Sequence, residues 1–435
     1  MIDSYYTRTA RQQPPQPALD RTLEADCCVI GAGLAGLAAA RELSRAGLEI
    51  SVLEASDGVG GRVRTDLVDG FRLDRGFQVI NTAYPAARTE LDLAELDLRR
   101  FTKGAIVRHG DRSYRLVDPR SDWRSTRGTL SSPLLATKDK AALGAFSAWC
   151  GYAPVARLTA GDDMSVEEAL RRYGISEEAV DRFLRPFLAG VLLDPGLGTS
   201  ARYTRLVWRS FVRGQVAVPG SGMQAIPQQL ASSLPPGTIR FGQRVTAVSA
   251  TGVATAGGED ITARVVVVAT DGSAACRLLP GLTPPSWNGV TTFYHALPAA
   301  PLEEPILVLD PDHMDLVANT VLMTAAAPAY SSDGRVLVST SVVGCRRDDP
   351  NLERLVRGRL AVLYGLSPDV FEEVSTYRID RAQPVAAPSL PLRRPVHVGA
   401  GRYVCGDWRD TSSIQGALVS GRRAARAVLR DGVPR

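Results

Sequence analysis

The sequence predicts an α/β fold, a doubly wound nucleotide-binding sheet assembled from separated stretches of chain and interrupted by an inserted α+β domain. Three observations predict it. Residues 26–30 form a short β-rich run that ends on Gly31-Ala32-Gly33-Leu34-Ala35-Gly36 and leads into helical spacing. Residues 265–270, Val-Val-Val-Val-Ala-Thr, read as a strand buried on both faces. Close to the end of the sequence, residues 402–408 read as a further strand, followed by apolar residues at helical spacing from Ala417 to Leu429. A length of 435 residues exceeds what a single core supports, so two domains or one elaborated domain are expected.

The first of these elements is a βαβ unit. Residues 37–46 follow a helical period that Gly47 closes, and residues 49–54 alternate as a strand ending on Glu54, 23 residues after Gly31. Each part has a physical task. Gly31 permits the tight turn, Gly33 lets backbone approach a pyrophosphate, and Gly36 lets helix and strand pack closely. The first helical turn, with Leu34 and Ala35, offers free N–H groups to the phosphate charge. Glu54, with Ala55 beside it, suits the ribose hydroxyls of an adenosine and repels a 2′-phosphate, so NADP is not expected. This is a Rossmann-like dinucleotide site.

Gly60-Gly61-Arg62 follows a few residues on, and its guanidinium adds charge to the pyrophosphate site. With this element the sequence resembles the flavin-containing amine oxidase and carotenoid (phytoene) desaturase superfamily. The resemblance implies an FAD-dependent oxidoreductase with a two-segment nucleotide fold, and it spans nearly the whole chain. It implies that Asp407, after Gly406, holds the ribityl chain. It also implies that backbone N–H groups around residues 414–416, near Ser413, Ile414 and Ala417, face the flavin pyrimidine, where the helix dipole favours an anionic reduced ring. Val245 would contact adenine through its backbone, and Ala269 and Thr270 would lie close to the cofactor. Residues 25–82, 216–275 and 396–435 then form the FAD-binding domain. Residues 83–215 and 276–395 form the substrate-binding domain, and residues 1–24, rich in Gln and Pro, form a flexible tail.

Composition narrows the alternatives. The formal charge is +5, only three of 51 basic residues are lysines, and the arginines look scattered, so no nucleic-acid partner is expected. Peripheral contact with an anionic membrane is compatible with that charge. No apolar run is long enough to span a bilayer, and the start of the sequence lacks a secretory pattern. The six cysteines show no metal or redox spacing, so no metal is expected and a reduced, cytoplasmic setting fits. Neighbouring Cys27 and Cys28 should point to opposite faces of their strand. Oligomeric state is not legible.

The inserted domain carries long helical patterns at 165–173, with a Ser165/Glu168 capping arrangement, and at 176–193. Candidate catalytic residues are Gln78, Phe77, Tyr294 and Trp408, while Asp74 reads as a structural acid. Two departures from the amine oxidase pattern matter. Ser413 stands where an aromatic of the amine cage is expected, with Gln415 in place of a glutamate. Residues 290–297 contain no lysine to activate oxygen through water. No cysteine lies between Arg346 and Arg402, so FAD should be held non-covalently. The four histidines form no triad pattern with a serine. The expected chemistry is hydride transfer from a largely apolar small molecule to flavin, forming C=C or C=N. The alternatives are an amine oxidase that uses oxygen and releases peroxide, a reduced-flavin isomerase, and a non-catalytic FAD-binding protein.

Overall fold

A computed structural model describes residues 23–121 and 126–432. An eight-stranded sheet is organised around the strand Asp260–Val268. On one side that strand pairs in parallel with Leu23–Ile30, from Leu23↔Ile261 to Ile30↔Val268. On the other side it pairs with Gly252–Thr255 at its start and with Arg402–Val404 at its end. Beyond the first strand lie Ile50–Leu53 and Ile239–Arg240, both parallel. Burial on both faces explains the unbroken valine run, since Val265 to Val268 are at most 1% exposed. Cys27 and Cys28 are fully buried in different apolar clusters, on opposite faces as expected. Burial pushes the Cys28 thiol up to about 12, which keeps it protonated and inert.

The helix Leu34–Arg45 follows the first strand and packs against the helix Ile414–Asp431. Gly421 makes this contact close: a Cβ there would lie 2.1 Å from the Ala35 carbonyl oxygen. The pair is tied further by a buried ionic triad, in which Glu90 meets Arg41 of the first helix and Arg422 of the last. Leaving any member of such a triad unpaired would strand a buried charge.

A second, seven-stranded sheet runs in the order Glu372–Pro384, Trp287–Leu297, Val336–Val343, Asn319–Leu322, Leu307–Leu309, Gly104–His109 and Arg112–Val117. All its pairings are antiparallel except that of Leu307–Leu309 with Gly104–His109. The helix Leu352–Tyr364 covers one apolar cluster of this sheet. A helical layer that includes Thr137–Tyr152, Val166–Arg172 and Ala201–Arg213 packs on another. The predicted α/β class with an α+β insertion is what the chain adopts.

Several boundaries differ from expectation. The first strand begins at Leu23, inside the expected tail, and residues 1–22 of that tail lie outside the described residues. The pattern at 176–193 is helical but not uniform: a π-helical turn, Val180–Leu184, sits between Glu177–Ala179 and Arg185–Leu192. Pro186 supplies the reason, because it lacks an N–H and its ring displaces the carbonyl four residues before it. Only half of the predicted capping box forms. Ser165 accepts from the Glu168 N–H at 3.1 Å, but the Glu168 carboxylate pairs with Arg172 one turn on.

Candidate cofactor site

The glycine turn is built as its spacing demands. Gly31 has φ +102° and donates its N–H to the Leu53 carbonyl at 2.8 Å, which joins the first two strands at the turn. The two other glycines differ in what surrounds them. A Cβ on Gly36 would lie 1.9 Å from the Gly31 oxygen and 3.2 Å from the Ala269 side chain, whereas one on Gly33 would meet nothing within 4 Å. Gly36 is therefore required for packing, and open space lies in front of Gly33 at the helix N-terminus. Leu34 and Ala35 are buried in the first turn, so only their backbone is available to a ligand.

Glu54 closes one end of this space. Its carboxylate accepts from the Ala32 N–H and the Ser56 N–H, both at 2.8 Å, and also from the Ser56 hydroxyl. Ala55 is exposed next to it. The Gln243 N–H donates to the Glu54 carbonyl, which brings the strand Val245–Val248 and half-buried Val245 to the same edge. Ala269 donates its N–H to Ile30, and its carbonyl abuts Gly31; Thr270 follows at the surface of the same turn.

The Gly60-Gly61 loop stacks directly on the glycine turn. The Gly60 N–H donates to the Ala32 carbonyl, and a Cβ on Gly61 would lie 3.5 Å from Gly33 Cα. From this loop Arg62 reaches across the molecule. It donates to Asp407 Oδ1 at 2.6 Å and to the Ala382 carbonyl at 3.0 Å, and it lies over the Trp287 ring. Asp407 is held in turn by the Trp408 N–H, while the Gly406 N–H donates to Ser420.

The last helix begins beside this pair. Ser413 is its N-cap, and its hydroxyl accepts from the Gly416 N–H at 3.1 Å. That corrects one expectation. The Gly416 N–H is spent on the cap and the Ala417 N–H on the Ser413 carbonyl, so the N–H groups left to face a ligand are those of Ile414 and Gln415. The preceding Ser412 carbonyl accepts from the Tyr203 hydroxyl at 2.7 Å and from the Gln383 amide at 3.0 Å. Tyr203 and Gln383 escaped the sequence reading, because each sits in an ordinary amphipathic pattern that shows nothing of what it meets across the fold.

The catalytic candidates separate into two groups. Gln78 is half-buried; its amide donates to the Arg62 and Arg75 carbonyls, and its oxygen is buried with no partner. Phe77 packs edge-on against Phe101 near the same loop. Tyr294, by contrast, is a correction. Tyr294 is fully buried with its hydroxyl donated to the Asp74 carbonyl, and Trp408 is 2% exposed among Val268, Ala275 and Leu279. Tyr294 has no face toward open space, whereas Trp408 lines a cavity with Tyr203, Pro384 and Ser412, its indole nitrogen without a partner. Asp74 is a buried structural acid, as expected, and accepts from Thr65, Tyr330 and the Met223 N–H.

The residues present fit an FAD. An open glycine cradle, the Glu54 carboxylate and an arginine converge with a second helix N-terminus, and two buried amide oxygens, those of Gln78 and Gln383, lack partners. The cysteines offer no attachment point in this cleft: Cys405 is fully buried in the sheet, and Cys345 lies beside Asp380 on the second sheet. FAD is accordingly held non-covalently.

Comparison with known proteins agrees with this geometry. The family model of flavin containing amine oxidoreductases matches residues 34–429. Hydroxysqualene dehydroxylase of Rhodopseudomonas palustris is 28% identical over 441 residues, covering 93% of this chain and 98% of that protein. Putrescine oxidase of Kocuria rosea is 29% identical over 231 residues, covering 49% of this chain and 47% of that protein. Among solved structures, a putrescine oxidase variant superposes with a TM-score of 0.70 at 21% identity, covering 95% of this chain and all of that one. An oxidoreductase from Methanosarcina mazei superposes with a TM-score of 0.73 at 18% identity, covering 93% of this chain and all of that one. With a family model spanning this much of its length, and the cofactor cradle in place, the chain belongs to the flavin-containing amine oxidoreductases and is an FAD-dependent oxidoreductase.

Proposed function

We propose that the enzyme transfers hydride between flavin and a largely apolar organic substrate, in the dehydrogenating direction that creates C=C. One observation carries the choice of an apolar substrate over an amine. The side chain at the expected amine-cage position and the one in place of the glutamate are both committed elsewhere: Ser413 caps its own helix, and the Gln415 oxygen accepts the Ala86 N–H at 2.8 Å. Neither is free to meet an ammonium group. The strand Trp287–Leu297, the segment expected to supply a lysine that assists oxygen, contains none.

Bound here, FAD would supply the two-electron chemistry, and the chain would supply position and charge. Gly33 and Arg62 would hold the pyrophosphate, Glu54 the ribose, Asp407 the ribityl chain, and the Ile414 and Gln415 N–H groups the pyrimidine edge. Tyr203 would keep the Ser412 turn in place as a neutral donor, because burial pushes its phenol well above the usual range. Six free cysteines support a reduced, cytoplasmic setting for this work.

The near full-length match to hydroxysqualene dehydroxylase favours a second reading with the opposite electron flow. There, reduced flavin would give hydride to an apolar alcohol and water would leave. Anaerobic mixing separates the readings. Bleaching of the oxidised holoenzyme by polyenes or their saturated precursors supports the first, and reoxidation of the photoreduced enzyme by an isoprenoid alcohol supports the second. Bleaching by putrescine or another simple amine, with neither of these, would overturn both.

A further inference from the structure

Charge is unevenly distributed along this chain. Residues 98–160 hold twelve Lys/Arg against four Asp/Glu, a net +8, so the other 372 residues hold 39 against 42, a net −3. All three lysines fall in this stretch. It forms the hairpin Gly104–His109 and Arg112–Val117 at one edge of the second sheet, together with the helix Thr137–Tyr152 beside it. Two of its four acids are already spent. Asp118 pairs with Arg120, and Asp139 is 2% exposed, accepting from Ser176.

The same surface carries apolar side chains where a water-facing helix should be polar. From residue 141 to 156 there is no charged residue. The helix buries Phe146 and Cys150, yet Ala141, Ala145, Ala148 and Tyr152 lie on its exposed side. Leu130, Tyr152 and Val155 are 59%, 73% and 50% exposed. Basic groups adjoin them: Arg120 hydrogen-bonds Tyr152, Lys140 donates to the Leu130 and Ser132 carbonyls, and Lys138 is exposed one turn before Ala141. An apolar face with an aromatic, rimmed by cations, is the arrangement that seats in the headgroup region of an anionic bilayer. A nucleic acid would reward the charge but not the exposed Leu130 and Val155.

We infer that residues 98–121 and 126–160 form a docking surface for an anionic lipid membrane, with Leu130, Tyr152 and Val155 inserting among the headgroups and Lys138 and Lys140 meeting lipid phosphates. The surface lies outside the cofactor site, so the inference stands independently of which substrate is turned over.

Flotation of the FAD-loaded protein with vesicles of phosphatidylcholine alone, or of equal parts phosphatidylcholine and phosphatidylglycerol, tests this. At low salt the protein should float with the anionic vesicles at least tenfold more than with the neutral ones, and added salt should release much of it. With each basic group near the surface worth about 1 kcal/mol, the double variant K138E/K140E should weaken binding by tenfold or more. The variant Y152S/V155S should weaken it even at low salt, with the flavin spectrum and melting temperature of both variants unchanged. Equal flotation with both vesicles, no flotation with either, or wild-type binding by both variants overturns the inference. So does tighter binding to a DNA duplex than to the anionic vesicles.

Discussion

Arg62 and Asp407 stand 345 residues apart in sequence, yet the guanidinium and carboxylate meet at 2.6 Å, with Asp407 almost fully enclosed. The pair joins the two halves of the candidate cofactor site, and in the proposed site its members would serve opposite needs: one would attract a pyrophosphate, the other accept hydroxyls. Removing either leaves the other's charge without its partner. Arg62→Ala and Asp407→Ala should each weaken FAD binding by roughly 10- to 100-fold, the loss of one charge-assisted contact. Fluorescence titration of the apoprotein with FAD measures this directly, and unchanged affinity in both variants would remove the pair from the site.

The two glycines of the turn should behave differently. Gly36→Ala drives a methyl into the Gly31 carbonyl and should cost about 3 kcal/mol or more of stability. Gly33→Ala adds a methyl to open space, so the apoprotein should melt as the wild type does while FAD affinity falls. Melting curves with and without FAD distinguish a folding residue from a binding one.

Both Glu54 oxygens accept backbone N–H groups, from Ala32 and from Ser56. In Glu54→Gln one of those donors would face an NH₂ group. The variant should lose about 1–3 kcal/mol from the loop and bind FAD more weakly. Isothermal titration of the apoprotein reads the affinity.

Asp74 should make stability depend on pH. Burial is the largest influence on its carboxyl and raises it from 3.8 to about 6, against hydrogen bonds from Thr65, Met223 and Tyr330 that act to lower it. A raised carboxyl means that the folded state binds the proton more tightly than the unfolded state. The stabilisation is therefore complete below pH 3.8 and is lost as pH rises through about 6, by about 3 kcal/mol in all. Asp74→Asn reproduces the protonated shape, with the Tyr330 hydroxyl turned to accept, and should flatten that slope. Urea midpoints taken across pH 4 to pH 7 would show whether it does.

Local features carried most of what could be foreseen. Gly31, Gly33, Gly36 and Glu54 act within one βαβ unit, so spacing alone places them. The valines at 265–268 announce a buried parallel strand through composition. What could not be read were contacts that fold geometry creates between distant stretches. Nothing near Tyr203 or Gln383 foretells that both donate to the Ser412 carbonyl. Tyr294 misled for the converse reason: an aromatic in a cofactor-lining segment alternates between cavity and core, and one residue of register decides which. The π-helical turn before Pro186 was hidden because a helical period tolerates one extra residue.

The strand Arg402–Val404 completes one edge of the strand Asp260–Val268. Until it docks, Val266 to Val268 present unpaired backbone to water, Arg62 has no Asp407, and the second helix N-terminus does not exist. Loss of residues 402–431 would remove Asp407 and the helix Ile414–Asp431 and leave an open strand edge inviting aggregation.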